Sequence, residues 1–221
     1  MAVPKVFLGV GHGGSDPGAV ANGFKEKDLN LSIAYACQSE LARHGVLTKL
    51  SRCVDEDESL NEKIRECNAY DPDLAVDIHN NAGGGDGAEA FYHVGGGTGK
   101  TLAVNILDEI VAIGQNSRGA KTKVENGVDY FGFIRETYAP AVIVECAFID
   151  HAEDVKIIDT AAEQTIMGIA IAKGILKTLG IAYKEEEAAK PVEYAVQIKC
   201  ADKSSAEALA AMLKGASVVT L

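Results

Sequence analysis

The sequence is poor in the features that mark membrane, nucleic-acid-binding and disulfide-bonded proteins. Its 221 residues include no tryptophan and five cysteines, and Lys plus Arg total 21 against 32 for Asp plus Glu. The net charge of −11 opposes attraction to nucleic acid or to anionic lipid, because such binding relies on cationic side chains. We therefore expect neither nucleic acid nor a membrane as a partner.

The sequence also lacks long apolar runs and paired cysteine motifs. No apolar run approaches the roughly 20 residues that span a bilayer, and the opening MAVPKVFLGVGHGG has neither the basic segment nor the cleavage site of a signal peptide. We expect synthesis in the cytoplasm without a signal peptide. The odd number of cysteines, without CxxC or CxC spacing, favours neither a disulfide framework nor a thiolate zinc site.

Short apolar runs alternate with segments of helical periodicity. KVFLGV (5–10), LAVDI (74–78) and AVIVECAF (141–148) are typical of buried strands. Ser59 with Glu62 forms the capping box of a helix, and Thr160, followed by a glutamate three residues on, also indicates the start of a helix. The polar residues 116–128 are interpreted as an exposed loop. The alternation predicts an α/β fold with a mostly parallel central sheet flanked by helices on both faces.

The charged, proline-ended stretch YKEEEAAKP suggests a domain boundary. We expect a catalytic domain over residues 1–181, a linker over 182–191 and a small C-terminal βαβ unit over 192–221. A unit of this size is too small to bury a core alone. It should therefore dock, either on a second copy of itself, which gives a homodimer, or on the first domain.

The stretch VGGGTGKT (94–101) is similar to a phosphate-binding loop. The full motif, GxxxxGK[ST], needs a glycine where this chain has Val94, so the spacing is wrong. Such an NTPase also needs a magnesium-binding acid at the end of a strand, and Asp77 is a candidate. Asp77, however, leads directly into His79, which an NTPase does not explain.

Two histidines follow predicted strands, His12 in GVGHGG and His79 in VDIHNN. Ligands of open α/β sheets bind at the carboxyl ends of strands, so the pair is either a metal site or two structural histidines. A zinc hydrolase needs a third N or O ligand and an open fourth position. Glu26 can supply it, although a glutamate at this place is also favoured by the helix dipole alone.

Glu145 stands inside the apolar run AVIVECAF. A carboxylate in such a run either lies at a functional strand end or is buried at considerable cost in free energy. Burial would also raise its pKa towards the range useful to a general base. We therefore interpret Glu145 as a functional residue.

The motifs GVGHGGSDPGA, EKDLNL, SRCVDED, IHNNA, GAEAFYH and FIRETYAPAVIVECAFID follow one another as in the zinc-dependent N-acetylmuramoyl-L-alanine amidases, or amidase 3 family, which residues 3–180 resemble. The resemblance implies one Zn²⁺ held by His12, Glu26 and His79, with Glu145 catalytic, and peptidoglycan as the substrate. The usual Asp-Pro before Gly-His is Gly9-Val10 here, which puts only the support of His12 in doubt. Weaker candidates for substrate contacts are Asn80, Asn81, His93 and Arg135.

Several endolysins of phages carry this domain without a signal peptide and cross the membrane through a separate pore, so the resemblance favours an endolysin. A cell-separation autolysin and a non-catalytic peptidoglycan-binding protein of the same fold are the alternatives. The tail EYAVQIKCADKSSAEALAAMLKG resembles the first half of a SPOR domain, a module that binds wall glycans. That resemblance implies wall binding or dimerisation for residues 192–221.

Overall fold

The computed structural model describes residues 2–185. The predicted linker 182–191 falls within this range only as far as residue 185, and the predicted βαβ unit 192–221 lies outside the described residues. The domain limits therefore stay predictions. Tyr183 stacks on His44, and Lys184 donates its backbone N–H to the His44 ring, so the chain is still packed on the rest of the fold at this point.

Strands and helices alternate along most of the described chain. The strands are β1 (Lys5–Val10), β2 (Val20–Ala21), β3 (Phe24–Lys25), β4 (Leu47–Leu50), β5 (Leu74–Asn81), β6 (Ala88–Tyr92), β7 (Ser117–Lys121), β8 (Val124–Glu125), β9 (Val128–Asp129) and β10 (Ala141–Phe148). The helices are α1 (Glu26–Arg43), α2 (Leu60–Tyr70), α3 (Gly97–Ala112), α4 (Gly132–Glu136) and α5 (Ala161–Leu179), with a 3₁₀ turn over Asp154–Ile157.

Six strands form the central sheet in the order β4-β1-β5-β10-β6-β7. The first four strands in this order run parallel, β6 pairs antiparallel with β10, and β7 runs parallel to β6. The predicted α/β fold with a mostly parallel sheet is confirmed. The two reversed strands place the end of β6 at the edge of the sheet where β10 begins.

Helices cover both faces of the sheet, as the alternation predicts. On one face α5 packs against α1 and α3, so closely that a Cβ on Gly168 would lie 2.5 Å from the carbonyl oxygen of Ile33. On the other face α2 packs against α4 over a smaller core that includes Phe7 and Phe133. No helix among residues 2–185 is both long and apolar enough to cross a bilayer.

Local capping signals place two helices correctly. Ser59 and Glu62 form both hydrogen bonds of a capping box at the start of α2, and Thr160 and Glu163 do the same at the start of α5. Each box satisfies backbone N–H groups that the first turn of a helix leaves without partners. These starts depend on neighbouring residues only, which is why the sequence predicts them.

Two predictions about segments are wrong. Residues 116–128 are not a loop, because Ser117–Lys121 forms β7 at the sheet edge and the residues that follow include β8. Strand β5 does not end at residue 78 but continues to Asn81, since its polar end pairs with β10. His79 consequently lies inside a strand and not in a loop.

The order of the strands creates a crevice at the carboxyl edge of the sheet. From β1 the chain crosses through α1 to β4 on one side of β1, whereas from β5, on the other side of β1, it continues in the opposite direction to β6 beyond β10. The loops after β1 and β5 therefore diverge, which is the arrangement at which α/β proteins bind ligands.

Candidate metal centre

Glu26 joins the two histidines that the sequence singles out. Its Oε2 lies 3.1 Å from Nε2 of His12, and its Oε1 lies 2.9 Å from Nδ1 of His79. The three residues offer two nitrogens and one oxygen within 4.8 Å of one another, so together they could hold a metal ion. The structure thus brings together the three residues predicted as ligands.

The backbone around this cluster leaves no space for larger residues. His12 adopts φ 59°, a left-handed conformation that non-glycine residues rarely take. A Cβ on Gly11 would lie 2.4 Å from Cε1 of His79, and a Cβ on Gly18 would lie 2.6 Å from Oε2 of Glu26. The glycines are required so that the backbone can approach the cluster.

A carboxylate holds the second nitrogen of each histidine. Asp16 Oδ2 lies 2.7 Å from Nδ1 of His12, and Asp77 Oδ2 lies 3.5 Å from Nε2 of His79. The buried Asp77 is itself fixed by Nζ of Lys63, 2.9 Å from its Oδ1. Carboxylates in this position orient metal-binding imidazoles and select their tautomer, so His12 Nε2 and His79 Nδ1 are left to face Glu26.

Opposite charges shift the pKa values of the cluster. Burial opposes the charge on His79, but Asp77 and Glu26 outweigh it and raise its pKa to about 10. Hydrogen bonding to Glu26 and Asp16 likewise raises the pKa of His12 above its ordinary value. For Glu26 burial acts upwards, yet the two imidazoles hold its pKa well below the usual range. Without a metal ion the cluster is therefore held together by protons on the imidazoles.

Glu145 lies beside this cluster on the neighbouring strand. It is in register with His79 across the β5–β10 pair and with Glu89 across the β10–β6 pair. Its Oε2 is buried and has no hydrogen-bond partner. Burial, reinforced by the charges of Glu26 and Glu89, raises the pKa of Glu145 to about 7 despite the opposing effect of His79. A carboxyl group of this pKa can both accept and return a proton near neutral pH.

The two asparagines predicted to contact substrate have internal partners. Asn80 is 2% exposed, donates its backbone N–H to Glu26 and donates Nδ2 to Asn30 Oδ1. Asn81 donates Nδ2 to Glu89. The buried Asn80 supports the Glu26 carboxylate through its backbone N–H, and a substrate contact for either asparagine stays a prediction.

His93 and Arg135 lie away from the cluster, and their contact with substrate stays a prediction. Because β6 is antiparallel to β10, its last residue Tyr92 pairs with Val142 near the start of β10. His93 follows Tyr92 and is thus about four residues, or roughly 13 Å, from Glu145 along the strand direction. It pairs with Asp129, whose backbone carbonyl accepts from Arg135.

The glycine-rich stretch 94–101 follows His93 and lies, like it, at the amino ends of the parallel strands. Gly96 caps α3, and a Cβ on Gly99 would lie 3.5 Å from the carbonyl oxygen of Ala141, the first residue of β10. Phosphate-binding loops of α/β proteins lie at the opposite, carboxyl edge. The stretch therefore serves as a connection between β6 and α3.

Asp16 and Asp77 are the site residues that sequence reasoning missed. Asp77 is two positions before His79, and alternation along a strand places such a pair on the same face. From the sequence alone, Asp77 is a candidate only for the magnesium ligand of an NTPase. Asp16 follows His12 by four residues through two glycines, and no periodic pattern predicts that this loop folds back.

A second cluster of potential ligands consists of Asp86, His151 and Asp154. Asp154 Oδ2 already accepts backbone N–H groups from Gly87 and Phe148, at 2.9 and 2.7 Å. These bonds tie the loop before β6 to the end of β10. The cluster is thus explained by its structural role.

Fold and site together define an α/β domain with a His/Glu/His cluster at its topological switch point. The sequence profile of Amidase_3, described as N-acetylmuramoyl-L-alanine amidase, matches residues 6–177. The chain belongs to this family.

Individual relatives support the assignment. The chain is 35% identical over 195 residues to N-acetylmuramoyl-L-alanine amidase CwlM of Bacillus licheniformis, covering 84% of this chain and 75% of that protein. It is 34% identical over 188 residues to the endolysin of Bacillus phage SPP1, with 81% and 67% covered. Cwp6 from Clostridium difficile superimposes with a TM-score of 0.79 at 38% identity, over 80% of this chain and 30% of that chain.

The raised pKa of His79 predicts how stability depends on pH when no metal is bound. Its folded pKa of about 10 exceeds the ordinary 6.5, so its contribution is fully present below pH 6.5 and is lost as pH rises through 10. We expect the EDTA-treated protein to unfold at lower urea concentration at pH 9.5 than at pH 6.5. His79→Gln should show a smaller decrease; an equal decrease in both proteins would contradict this account.

Proposed function

We propose that the chain is a zinc-dependent N-acetylmuramoyl-L-alanine amidase that hydrolyses the amide between the lactyl group of N-acetylmuramic acid and the L-alanine of the stem peptide. Membership of the amidase family supports the reaction. The observation that carries the proposal is the position of Glu145 beside the His12–Glu26–His79 cluster, in register with His79 and with its Oε2 buried without a hydrogen-bond partner.

The donor set of the cluster suits zinc. Two imidazole nitrogens and one carboxylate oxygen are a common catalytic set for Zn²⁺, and each imidazole is oriented by a carboxylate, Asp16 or Asp77. When bound, zinc would polarise the amide carbonyl and lower the pKa of a water molecule to roughly 7.

Glu145 would move the proton. As water attacks the amide carbon, the carboxylate accepts a proton from it, and the resulting carboxyl group delivers that proton to the leaving alanine nitrogen. Burial favours both steps, since a pKa of about 7 makes the two protonation states nearly equal in free energy at neutral pH. The neighbouring Glu89 is held ionised by Arg118 and Lys121, so it is not available for the same role.

We further propose that the protein acts on the cell wall as an endolysin and reaches it through a phage pore. The similarity to the SPP1 endolysin supports this role. A bacterial cell-separation autolysin remains the alternative, because CwlM of Bacillus licheniformis is a comparably similar relative. A purely binding protein is disfavoured, since binding does not require His12, Glu26, His79 and Glu145 together.

Digestion of purified cell wall tests the reaction. We expect new alanine amino groups, detected by end-group labelling, without an increase in reducing sugars, because the bond cut is an amide and not a glycosidic bond. A chelator should abolish the release, and added Zn²⁺ should restore it. New reducing ends without new amino groups would instead identify a glycosidase and reject the proposal.

Replacement of Glu145 separates proton transfer from metal binding. Glu145→Gln keeps the size of the side chain but removes the proton acceptor, so we expect kcat/KM to fall by about 10²- to 10⁴-fold. The zinc content, measured by atomic absorption, should stay equal to that of the unaltered protein. Glu136→Gln, on the exposed surface of α4, is the matched control. Near-normal activity of Glu145→Gln would remove this residue from the mechanism.

We propose that residues 1–181 form the catalytic domain and that 192–221, joined by the linker 182–191, form a dimerising or wall-binding unit. The proposal rests on composition and on the resemblance to half of a SPOR domain. If the unit pairs with a second copy, the full chain should sediment as a dimer and a chain ending at Lys184 as a monomer. Equal sedimentation of the two would exclude the tail from dimerisation.

A further inference from the structure

A cavity of about 310 Å³ lies next to His12, which forms part of its wall. It is formed by the loop that follows β1 and by the segment that leads from β4 into α2. Its lining residues are His12, Gly13, Asp16, Asp57, Glu58, Ser59 and Glu62. Since His12 belongs to both, the cavity and the candidate metal centre are continuous along the carboxyl edge of the sheet.

The walls of this cavity carry four carboxylates and no Lys or Arg. Three of the carboxylates are engaged by the protein itself. Asp16 pairs with His12, Asp57 accepts from Ser15, and Glu62 accepts from Ser59. These bonds fix the loops in place, and His12 is the one basic residue among the lining residues against four carboxylates.

Glu58 differs from the other three because part of its carboxylate has no partner. Its side chain is 8% exposed, its Oε2 accepts from Ser51 Oγ at 2.7 Å, and its Oε1 is buried without a hydrogen bond. Lys63 is 4.0 Å from Oε2 but is committed to Asp77 at 2.9 Å. A buried carboxylate oxygen without a donor costs free energy that a cationic ligand would recover.

We propose that this cavity, which we call the acidic subsite, binds the side-chain ammonium group of a diamino acid in the stem peptide of the substrate, with Glu58 as its main acceptor. The inference rests on the proposed amidase function, because it assigns the cavity to the same substrate. It adds a determinant of specificity to the chain, since stem peptides whose side-chain amine is free would be preferred.

The spacing along the sheet edge agrees with this assignment. Glu145 is on β10, and the acidic subsite is next to the ends of β1 and β4. In the sheet, β4 is three strands away from β10 and β1 is two strands away. Strands lie about 4.8 Å apart, so the separation is up to roughly 14 Å. The third residue of a stem peptide lies within about 10 Å of the scissile bond, and its side chain extends the reach.

An ammonium group fits the acidic subsite better than a second metal ion. Within residues 2–185, the groups with three ligand atoms inside 4.8 Å of one another do not include Asp57, Glu58 or Glu62. The carboxylates are thus spread around the cavity and do not converge on one point. Such a distribution suits a cation delivered on a flexible side chain.

The test combines a change in the protein with a change in the substrate. Soluble wall fragments carrying a free side-chain amine in the stem peptide are compared with the same fragments after acetylation of that amine. Glu58→Gln removes the charge and keeps an acceptor for Ser51. Glu66→Gln, in the helix α2 that follows Glu58 and paired with Lys49, is the control of equal charge change.

We expect acetylation to lower kcat/KM of the unaltered protein by about 10- to 150-fold, the size of one charge-assisted hydrogen bond. Glu58→Gln should lower kcat/KM on the free-amine fragments by a similar factor and leave the acetylated fragments unaffected. Glu66→Gln should behave as the unaltered protein does. Indifference of the unaltered protein to acetylation, or equal loss on both substrates in Glu58→Gln, overturns the proposal.

A binding measurement tests the acidic subsite independently of the proposed amidase reaction. Calorimetric titration of Glu145→Gln with both kinds of fragment measures recognition without cleavage. Tighter binding of the free-amine form, lost when Glu58→Gln is added, supports the acidic subsite even if the unaltered protein releases no alanine. Equal affinity for both forms rejects the subsite even if the amidase reaction is found.

Discussion

The buried carboxylate of Glu26 is the interaction on which the site depends. Helix α1 begins at this residue, so the carboxylate sits at the positive end of the helix between β1 and β5. Its oxygens also accept the backbone N–H groups of Ala19 and Asn80. A desolvated anion needs several such partners, and here the partners come from three separate segments. The position of Glu26 therefore fixes the loop after β1, the end of β5 and the start of α1 at once.

Charge varies in a regular way along the carboxyl edge of the sheet. The carboxylates around Glu58 lie on the β4 side. In the middle, the imidazoles of His12 and His79 enclose Glu26. On the far side of Glu145, cationic side chains of β7 neutralise Glu89. Glu145 is thus the one carboxyl group of this middle region whose pKa is moved towards neutrality. The charged groups on either side, Glu26 with its imidazoles and Glu89 with its cations, do not change protonation near neutral pH, so Glu145 is the group that gains and loses a proton there.

Sequence patterns predict those parts of the structure that short-range physics determines. The capping box of Ser59 and Glu62 involves residues three apart, and the buried strand 141–148 is apolar except for Glu145, so both can be predicted without tertiary information. Strand β7 was missed because an edge strand such as SRGAK need not be apolar. The polar end of β5 was missed because Asn80 is buried only through partners, such as Asn30, that are distant in sequence.

The direction of a strand is a further property that local sequence does not determine. His93 follows a strand as His12 does, and nothing near it shows that β6 is reversed. The carboxylates behind the histidines were equally hidden, since Asp16 reaches His12 through a turn that depends on Gly13 and Gly14 at positive φ. The four residues proposed for the chemistry, by contrast, follow from residue type, strand position and family motifs combined.

The reversal of β6 places the exposed connection between β6 and α3 far from the residues proposed for the chemistry. The glycine-rich turn around Gly95–Gly97 is largely exposed. It lies at the amino ends of the parallel strands, whereas His12 and Glu145 lie towards their carboxyl ends. A fluorophore, an affinity handle or an additional wall-targeting module attached there would project away from the polymer being cut. For protein engineering, the sheet thus provides one edge for the reaction and another for attachment.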